Sequence, residues 1–334
     1  MRKGKVGIVA NPEAGRDIRR LVAHASVFDN EEKVNILERM LSAFDRLGLE
    51  SVVYMPDSYG IVEKASDRIP HLKVKIEPLK MPLVHSEEDS TRAGALFQGK
   101  VDLIIVIGGD GTDRAVVKGL DLRNPTPILG LSTGTNNVFS SILEATTAAL
   151  ASWAIVSGFI KKEEATRREK ILKLKWEDQE DLALIDIVFS SEKFIGSKAL
   201  WQPNTIKGIF SSRAELSAIG FSSLVGLFAP SSREDSFGSY VLIGCPGKRV
   251  LFPIAPGKLV ETEVKSFGKI NEGEPFWYEF GQGTIALDGE RKIEVVNKKA
   301  FEISLSKQGP RTIDVWKTLS LARERGLFSF NNYE

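Results

Sequence analysis

The segment Gly108-Gly109-Asp110-Gly111-Thr112 places a carboxylate among three glycines, directly after an apolar run from 103 to 107. Glycines let the backbone approach an anion closely, and the first N–H groups of a following helix point toward it. Asp110 would repel a phosphate unless it holds a metal ion or accepts a proton from an attacking hydroxyl. As an isolated pentapeptide the segment could be a simple turn. Between an apolar strand and a helix it predicts phosphoryl transfer.

A second polar segment, 133–137, leaves the next predicted strand, 128–131, and precedes a predicted long helix to about residue 158. Its hydroxyls and amides carry no charge and suit the phosphates of a nucleotide. The alternative is that Thr135 or Asn136 only caps the helix. Because open α/β sheets bind ligands where neighbouring strands end, both segments are expected to face one crevice. The candidate residues are Thr133, Gly134, Thr135, Asn136 and Asn137.

Two further segments are open to two interpretations each. The loop 11–16 follows the first predicted strand, Lys5–Ala10. It is either an ordinary connection or a third phosphate segment in which Arg16 neutralises charge. The run Leu287-Asp288-Gly289-Glu290 is typical of a hairpin, because Asp-Gly is a common type I′ turn pair.

The elements that must position these residues alternate between strand and helix as far as residue 160. A helix is predicted to begin near Asp29 or Asn30, with Glu32 completing a capping box, and another is predicted to follow Ser86. Such alternation predicts a parallel sheet covered on both faces. Beyond residue 160, β-type segments dominate, among them 170–176 and 181–190, before a last helix at about 313–325. We therefore predict domains at 1–160 and 161–305, and a helical return segment at 306–334.

Composition narrows the function classes. The chain has 334 residues, of which 42% are hydrophobic and 27% charged, with a formal net charge of +1. This balance is ordinary for a globular protein and gives no general attraction to nucleic acid. The single cysteine, Cys245, excludes an intramolecular disulfide and is typical of a reducing cytoplasm. No apolar run reaches the length that spans a membrane, so no membrane association is expected.

The motifs together resemble the superfamily of NAD kinases, diacylglycerol kinases and sphingosine kinases. Its hallmark Gly-Gly-Asp-Gly-Thr stands intact at 108–112. Its Asn-Pro-x-x-Gly loop is similar to 11–15, and its lipid-kinase Gly-Thr-Gly-Asn turn is similar to 134–137. Its Asp-Gly-Glu segment matches Asp288-Gly289-Glu290.

A narrower resemblance is to the AcoX branch of the ATP-NAD kinase family. The runs 21–29, 132–139 and 283–291 are similar to that branch, and the resemblance extends from residue 5 to about residue 295. It implies an α/β domain that binds nucleotide through a parallel sheet, and a second, β-rich, sandwich-like domain. It also implies a C-terminal helix that packs back on the first domain, with the active site between the two domains.

The resemblance implies roles for individual residues. Asp110 would be catalytic, holding Mg²⁺ or activating the acceptor hydroxyl, and Asp288 and Glu290 would join it in the site. The implied nucleotide- and phosphate-binding residues are Asn11, Gly15, Arg16, Gly108, Gly109, Gly111 and Thr112, together with the turn Thr133, Gly134, Thr135, Asn136 and Asn137.

The implied activity is phosphoryl transfer from ATP, or from polyphosphate, to a hydroxyl, with NAD as the lead acceptor and NADP as product. The chain departs from NAD kinases in having no clear Asn-Glu or Asn-Asp pair after the second turn. It also has no Gly-Ser-Thr-Ala-Tyr run, since the nearest stretch, 236–240, does not match. The resemblance therefore supports the chemistry of the phosphate donor better than the identity of the acceptor.

Three other readings remain from the sequence. A lipid or another small alcohol could be the acceptor, or the chain could be a non-catalytic nucleotide sensor. A hydride-transfer enzyme is disfavoured, because no Gly-x-Gly-x-x-Gly follows the first strand. A homo-oligomer is expected, because members of the family are commonly oligomeric.

Overall fold

Strands and helices alternate through the first half of the chain, and strands dominate the second. The computed structural model describes residues 4–14, 29–133, 137–192 and 203–329. In chain order the strands are β1 Lys5–Ala10, β2 Ser51–Tyr54, β3 Lys75–Pro78, β4 Leu103–Gly108, β5 Ile128–Ser132, β6 Thr166–Arg168, β7 Ile171–Trp176, β8 Gln179–Ala183, β9 Asp186–Ser190, β10 Ile206–Ser211, β11 Phe237–Ala255, β12 Lys258–Asn271, β13 Phe276–Phe280, β14 Gly283–Leu287, β15 Glu290–Val295, β16 Lys299–Ser306 and β17 Arg311–Ile313.

The helices lie mainly in the first half. They are α1 Asn30–Leu47, α2 Ile61–Asp67, α3 Glu87–Phe97, α4 Asp110–Lys118, α5 Ala145–Val156, α6 Lys162–Ala165, α7 Phe221–Gly226 and α8 Val315–Glu324. The predicted start of α1 is confirmed, since the Asp29 side chain accepts a hydrogen bond from the Glu32 N–H. Ser86 likewise caps α3 by accepting from the Glu88 N–H. Among the helices of the described residues, none has both the length and the apolar composition needed to cross a lipid bilayer.

The first sheet has the strand order β3-β2-β1-β4-β5-β17-β6. Its first five strands are parallel, as predicted, and β17 pairs parallel with β5. Helices cover both faces of this sheet. Successive side chains of β4 point to opposite faces and therefore contact different helices. Ile105 joins a core with α1, α2 and α5, whereas Ile104 and Val106 join a core with α3 and α4.

The second half forms two antiparallel sheets. A six-stranded sheet has the order β12-β11-β10-β9-β14-β15, and a four-stranded sheet has the order β13-β16-β7-β8. A core rich in aromatic rings lies between them and includes Phe189, Phe210 and Phe301. This is the predicted sandwich-like arrangement. After it, β17 and α8 return to the first unit, where α8 packs against α5.

The predicted single strand at 181–190 is wrong, because the chain turns at 184–185 and divides it. The first part, β8, belongs to the four-stranded sheet, and β9 belongs to the six-stranded sheet. The physical reason is that a buried carboxylate, Asp288, binds the backbone N–H groups at the turn. The predicted domain limits at 160 and 305 stay a prediction. The first sheet includes one strand that follows each limit, β6 and β17.

Candidate active site

The predicted phosphate segment lies where β4 ends and α4 begins. Asp110 is the first residue of α4 and is only 7% exposed. Its carboxylate accepts hydrogen bonds from three consecutive backbone N–H groups, those of Val138 (2.8 Å), Phe139 (3.1 Å) and Ser140 (3.3 Å). Asp110 therefore ties the start of α4 to the loop that follows Asn137.

This geometry bears on the predicted Mg²⁺ role of Asp110. Its two oxygens accept three backbone N–H groups, which occupy three of the roughly four lone-pair positions of a carboxylate. Within the described ranges, no group of three or more His, Cys, Asp or Glu side chains is arranged to hold a metal ion. Mg²⁺ is commonly held by one or two carboxylates together with substrate phosphates and water. The described residues around Asp110 therefore do not build a metal site from protein side chains alone, and its predicted Mg²⁺ role stays a prediction.

The second predicted segment meets the first at this point. The Thr133 N–H donates to the Gly108 carbonyl at 2.8 Å. The Asn137 side chain accepts from the Asp110 N–H at 3.4 Å and donates to the Ser132 hydroxyl at 2.7 Å. The structure thus brings Thr133 and Asn137 to the start of α4. Gly134, Thr135 and Asn136 lie outside the described residues.

The long helix predicted after residue 137 begins later than expected, at Ala145. Its cap is Glu144, whose carboxylate accepts from the Thr147 N–H at 3.0 Å. The reason is visible at 138–140, where the N–H groups bind Asp110 instead of opening a helix. The expectation that the 133–137 turn leads directly into a helix is therefore wrong.

The loop after β1 also reaches α4. The Asn11 amide donates to the Thr112 hydroxyl at 2.9 Å. Sequence reasoning missed the residue that shapes this loop, Lys33 of α1, which is fully buried. Its ammonium donates to the Asn11 and Ala14 carbonyls, each at 2.8 Å. Gly15 and Arg16 lie outside the described residues.

The Asp288-Gly289 pair forms the predicted hairpin turn between β14 and β15. Both residues have positive φ, 51° and 77°, as a type I′ turn requires. The Asp288 carboxylate accepts from the N–H groups of Leu184 (2.8 Å), Ile185 (2.7 Å) and Asp186 (3.1 Å). The turn interpretation is confirmed, and the same aspartate also fixes the β8–β9 connection.

Three buried carboxyl groups influence one another here. Burial raises the pKa of Asp288 to about 7, although backbone N–H donors and the Arg114 charge oppose the shift. Burial also raises the pKa of Asp110. It raises the pKa of Asp113 well above its usual value, with the charges of Asp110 and Asp288 adding to the effect. Asp113 is one helical turn after Asp110 and accepts from the Ser140 hydroxyl. The cluster favours a protonated Asp113.

Glu290 differs from these aspartates, because its side chain is 35% exposed and lies against α4. A Cβ at Gly111 would come within 2.6 Å of the Glu290 Oε1. A larger residue at position 111 would therefore require the Glu290 carboxylate to shift from this place. The partial positive charge of the helix N-terminus favours an anion at this position.

The other Glu290 oxygen belongs to a set of ion pairs that sequence reasoning missed. Lys292 donates to the Glu290 Oε2 at 2.7 Å and also to Glu87. Glu87 lies 3.6 Å from the buried guanidinium of Arg114, which pairs with Asp181 at 2.7 Å. Along this series of side chains, negative and positive charges alternate. We call Glu290, Lys292, Glu87, Arg114 and Asp181 the ionic chain.

Arg213 is a further cation near the site that sequence reasoning missed. Its side chain is 4% exposed and lies 5.4 Å from the Phe139 ring. Its Nη2 makes no hydrogen bond within the described ranges, and its charge opposes the rise in the pKa of Asp110. Arg213 therefore adds positive potential beside the loop that Asp110 holds.

Some of these residues carried a signal in the sequence. Lys292 is two positions after Glu290 in one strand, so both side chains share a face. Arg114 is three positions after Gly111 in one helix, so they also lie on the same side. Nothing local marks Arg213 or Glu87 as neighbours of the site.

Comparisons with known proteins agree with this architecture. The model of the ATP-NAD kinase N-terminal domain matches residues 6–159. The model of the acetoin catabolism protein X C-terminal domain matches residues 170–308. Acetoin catabolism protein X of Cupriavidus necator is 35% identical over 325 residues, which are 93% of this chain and 90% of that protein.

A solved structure shows the same fold at low sequence identity. Yeast NADH kinase complexed with NADH is 14% identical, covers 99% of this chain and 90% of its own, and aligns with a TM-score of 0.51. A diacylglycerol kinase from Bacillus anthracis is also 14% identical, covering 94% of this chain and 97% of its own, with a TM-score of 0.43. The alignment with yeast NADH kinase confirms the fold.

Proposed function

The chain belongs to the ATP-NAD kinase family, in the branch with the acetoin catabolism protein X C-terminal domain, and we propose from that premise that it transfers a phosphoryl group from ATP to a hydroxyl. The lead acceptor is NAD, with NADP as product. Polyphosphate is the alternative donor.

One observation carries the proposal. The β-rich half supplies a carboxylate, Glu290, that contacts the first turn of α4 at Gly111. Beside it lie the Asn11–Thr112 hydrogen bond and the Asn137 amide. A helix N-terminus that can bind phosphate and a partly exposed carboxylate that can accept a proton thus occupy one place.

In the proposed reaction, the glycine backbone at 108–111, at the start of α4, binds the phosphates of the donor. Glu290 accepts the proton of the acceptor hydroxyl while that oxygen forms a bond to the terminal phosphorus. The bond from phosphorus to the bridging oxygen breaks, and ADP leaves with the electron pair. Positioning and charge stabilisation supply most of the rate enhancement in such transfers.

The buried aspartates have a different part in this proposal. Asp110 and Asp288 hold the loops at 138–140 and 184–186 in place, and neither needs to touch the reacting atoms. Arg213 adds positive charge near the first of these loops. Mg²⁺ is proposed to arrive on the phosphates of the nucleotide rather than on Asp110.

A screen of acceptors tests the proposal. Purified protein is incubated with Mg-ATP, or with polyphosphate, and with NAD, NADH, diacylglycerol vesicles or small alcohols, and phosphorylated product is measured with ADP. Wild-type protein should form ADP only with its acceptor, and Glu290→Gln should not. The matched control is Glu294→Gln, an exposed glutamate of the same strand, which should keep wild-type activity.

A nucleotide sensor is the second candidate. It is favoured by the hydrogen bonds of Asp110 and Asp288, because both oxygens of each carboxylate accept backbone N–H groups, as a purely structural role requires. The same screen separates the two functions. Thermal stabilisation by ATP without product from any acceptor would support the sensor and contradict the kinase.

A further inference from the structure

Apart from Asp181, the members of the ionic chain connect two points on α4. It leaves the helix at Arg114, passes through Glu87 and Lys292, and returns at Gly111 through the Glu290 carboxylate. Glu87 belongs to α3 in the first unit, whereas Lys292 and Glu290 belong to β15 in the second. The ionic chain therefore links the first unit to the second beside Glu290.

Arg114 and Glu87, the two members of the ionic chain in the first unit, lie on closely packed helices. Arg114 is fully buried, and its Nε donates to the Leu182 carbonyl at 2.7 Å. Helix α3 packs so closely on α4 that a Cβ at Gly94 would collide with the Val116 carbonyl. Glu87, in the first turn of α3, is consequently held at a fixed distance from α4.

The two oxygens of the Glu290 carboxylate have different partners. The Lys292 ammonium binds Oε2 at 2.7 Å, and Oε1 is then directed at Gly111. The Lys292 side chain is only 13% exposed and contacts Glu87 on its other side. Without the ammonium, the carboxylates of Glu87 and Glu290 would repel each other, and Glu290 would lose the partner that holds its Oε2.

We propose that Lys292 and Glu87 are positioning residues that hold the Glu290 carboxylate against the first turn of α4. This assignment rests on the proposed function, in which Glu290 accepts the proton of the acceptor. A merely structural ion pair between the two units would instead stabilise the fold without affecting the reacting geometry. The two roles predict different kinetic and structural results.

The kinetic test compares Lys292→Met with Lys118→Met. Lys118 pairs with Asp181 at 3.1 Å, at the far end of the ionic chain, and is a matched control. Lys292→Met should lower kcat about 10- to 100-fold with KM for ATP within about 2-fold, since misplacement of a reacting group acts mainly on kcat. Lys292→Arg should restore most of kcat, Glu87→Gln should lower it, and Lys118→Met should leave it unchanged.

A double-mutant cycle sharpens this test. If Lys292 acts only through Glu290, Lys292→Met should cause no further loss of kcat in a Glu290→Gln background. Equal losses in both backgrounds would overturn the proposal. So would a fall in thermal stability, with unchanged kcat, that Lys292→Met and Lys118→Met share.

A crystal structure of Lys292→Met gives a readout that does not depend on activity. The Glu290 carboxylate should leave the space above Gly111, whereas in Lys118→Met it should stay. A carboxylate that keeps its place in Lys292→Met would overturn the positioning role. If the carboxylate moves but wild-type protein phosphorylates no acceptor, the positioning role stands and the proposed kinase function fails.

Discussion

The start of α4 and the β14–β15 hairpin lie in different halves of the molecule, yet each uses a buried aspartate in the same way. Asp110 binds three consecutive N–H groups at 138–140, and Asp288 binds three at 184–186. The regions differ in what stands beside the aspartate. The helix start offers glycine backbone, whereas the hairpin continues into Glu290, a carboxylate that is 35% exposed.

This difference distinguishes a carboxylate with a structural role from one that can react with substrate. A carboxylate whose oxygens accept several backbone hydrogen bonds fixes two chain segments, and its removal leaves buried donors unpaired. A carboxylate held by one lysine keeps an oxygen for substrate. In the proposed function, the proton acceptor is therefore Glu290, and Asp110 and Asp288 hold the surrounding loops.

Removing either scaffold aspartate should have the largest effect on stability. Asp110→Ala leaves three N–H groups without their acceptor, and we expect the free energy of unfolding to fall by about 3 kcal/mol or more. Asp288→Ala should cause a loss of similar size. Urea denaturation measures both, with the exposed Asp121→Ala as a control that changes little. A small effect at one aspartate and a large one at the other would break the comparison.

Gly111→Ala should separate activity from stability. Alanine favours a helix over glycine by about 1 kcal/mol, so unfolding should not become easier. The new Cβ would lie 2.6 Å from the Glu290 Oε1, however, and should displace it and lower kcat about 10-fold or more. Gly281→Ala, where an added Cβ meets no atom within 4 Å, is the control. Wild-type kcat in Gly111→Ala would show that the Glu290 position is unimportant.

The smallest expected effect is the pH dependence that Asp113 contributes. Its pKa is raised in the folded protein, so the folded state keeps a proton that the unfolded chain releases above about pH 4. That contribution to stability is complete below pH 4 and is lost as pH rises through the folded pKa. Asparagine does not titrate.

Unfolding measured at pH 5 and pH 9 checks this expectation. Wild-type protein should lose more stability between the two values than Asp113→Asn does. A parallel pH dependence for both proteins would mean that Asp113 does not hold its proton on folding.

Local patterns in the sequence were sufficient for much of the fold. The apolar run 103–107 followed by glycines predicted β4 and its turn, and Asp29 and Ser86 marked two helix starts. The Asp288-Gly289 pair predicted the hairpin. Each of these features depends on neighbours within a few residues, which is the range over which backbone preferences act.

The chemistry of the site depended on distant partners. Asp110 meets the N–H of Ser140 across 30 positions, and Lys292 meets Glu87 across 205. The first contact delays α5 to Ala145, and local pattern did not reveal it. The second requires both halves of the chain to be folded, so no motif could indicate it. The glycines of 108–111 predicted the close approach of an anion, but not that the Glu290 carboxylate would lie against Gly111.

The rate of acceptor-dependent phosphoryl transfer in Glu290→Gln tests the central claim most directly. At saturating Mg-ATP and acceptor, the account predicts a kcat about 100- to 10,000-fold below wild type, because a proton acceptor has been removed. The free energy of unfolding should stay near the wild-type value. A Glu290→Gln protein that transfers phosphate at the wild-type rate would contradict the account.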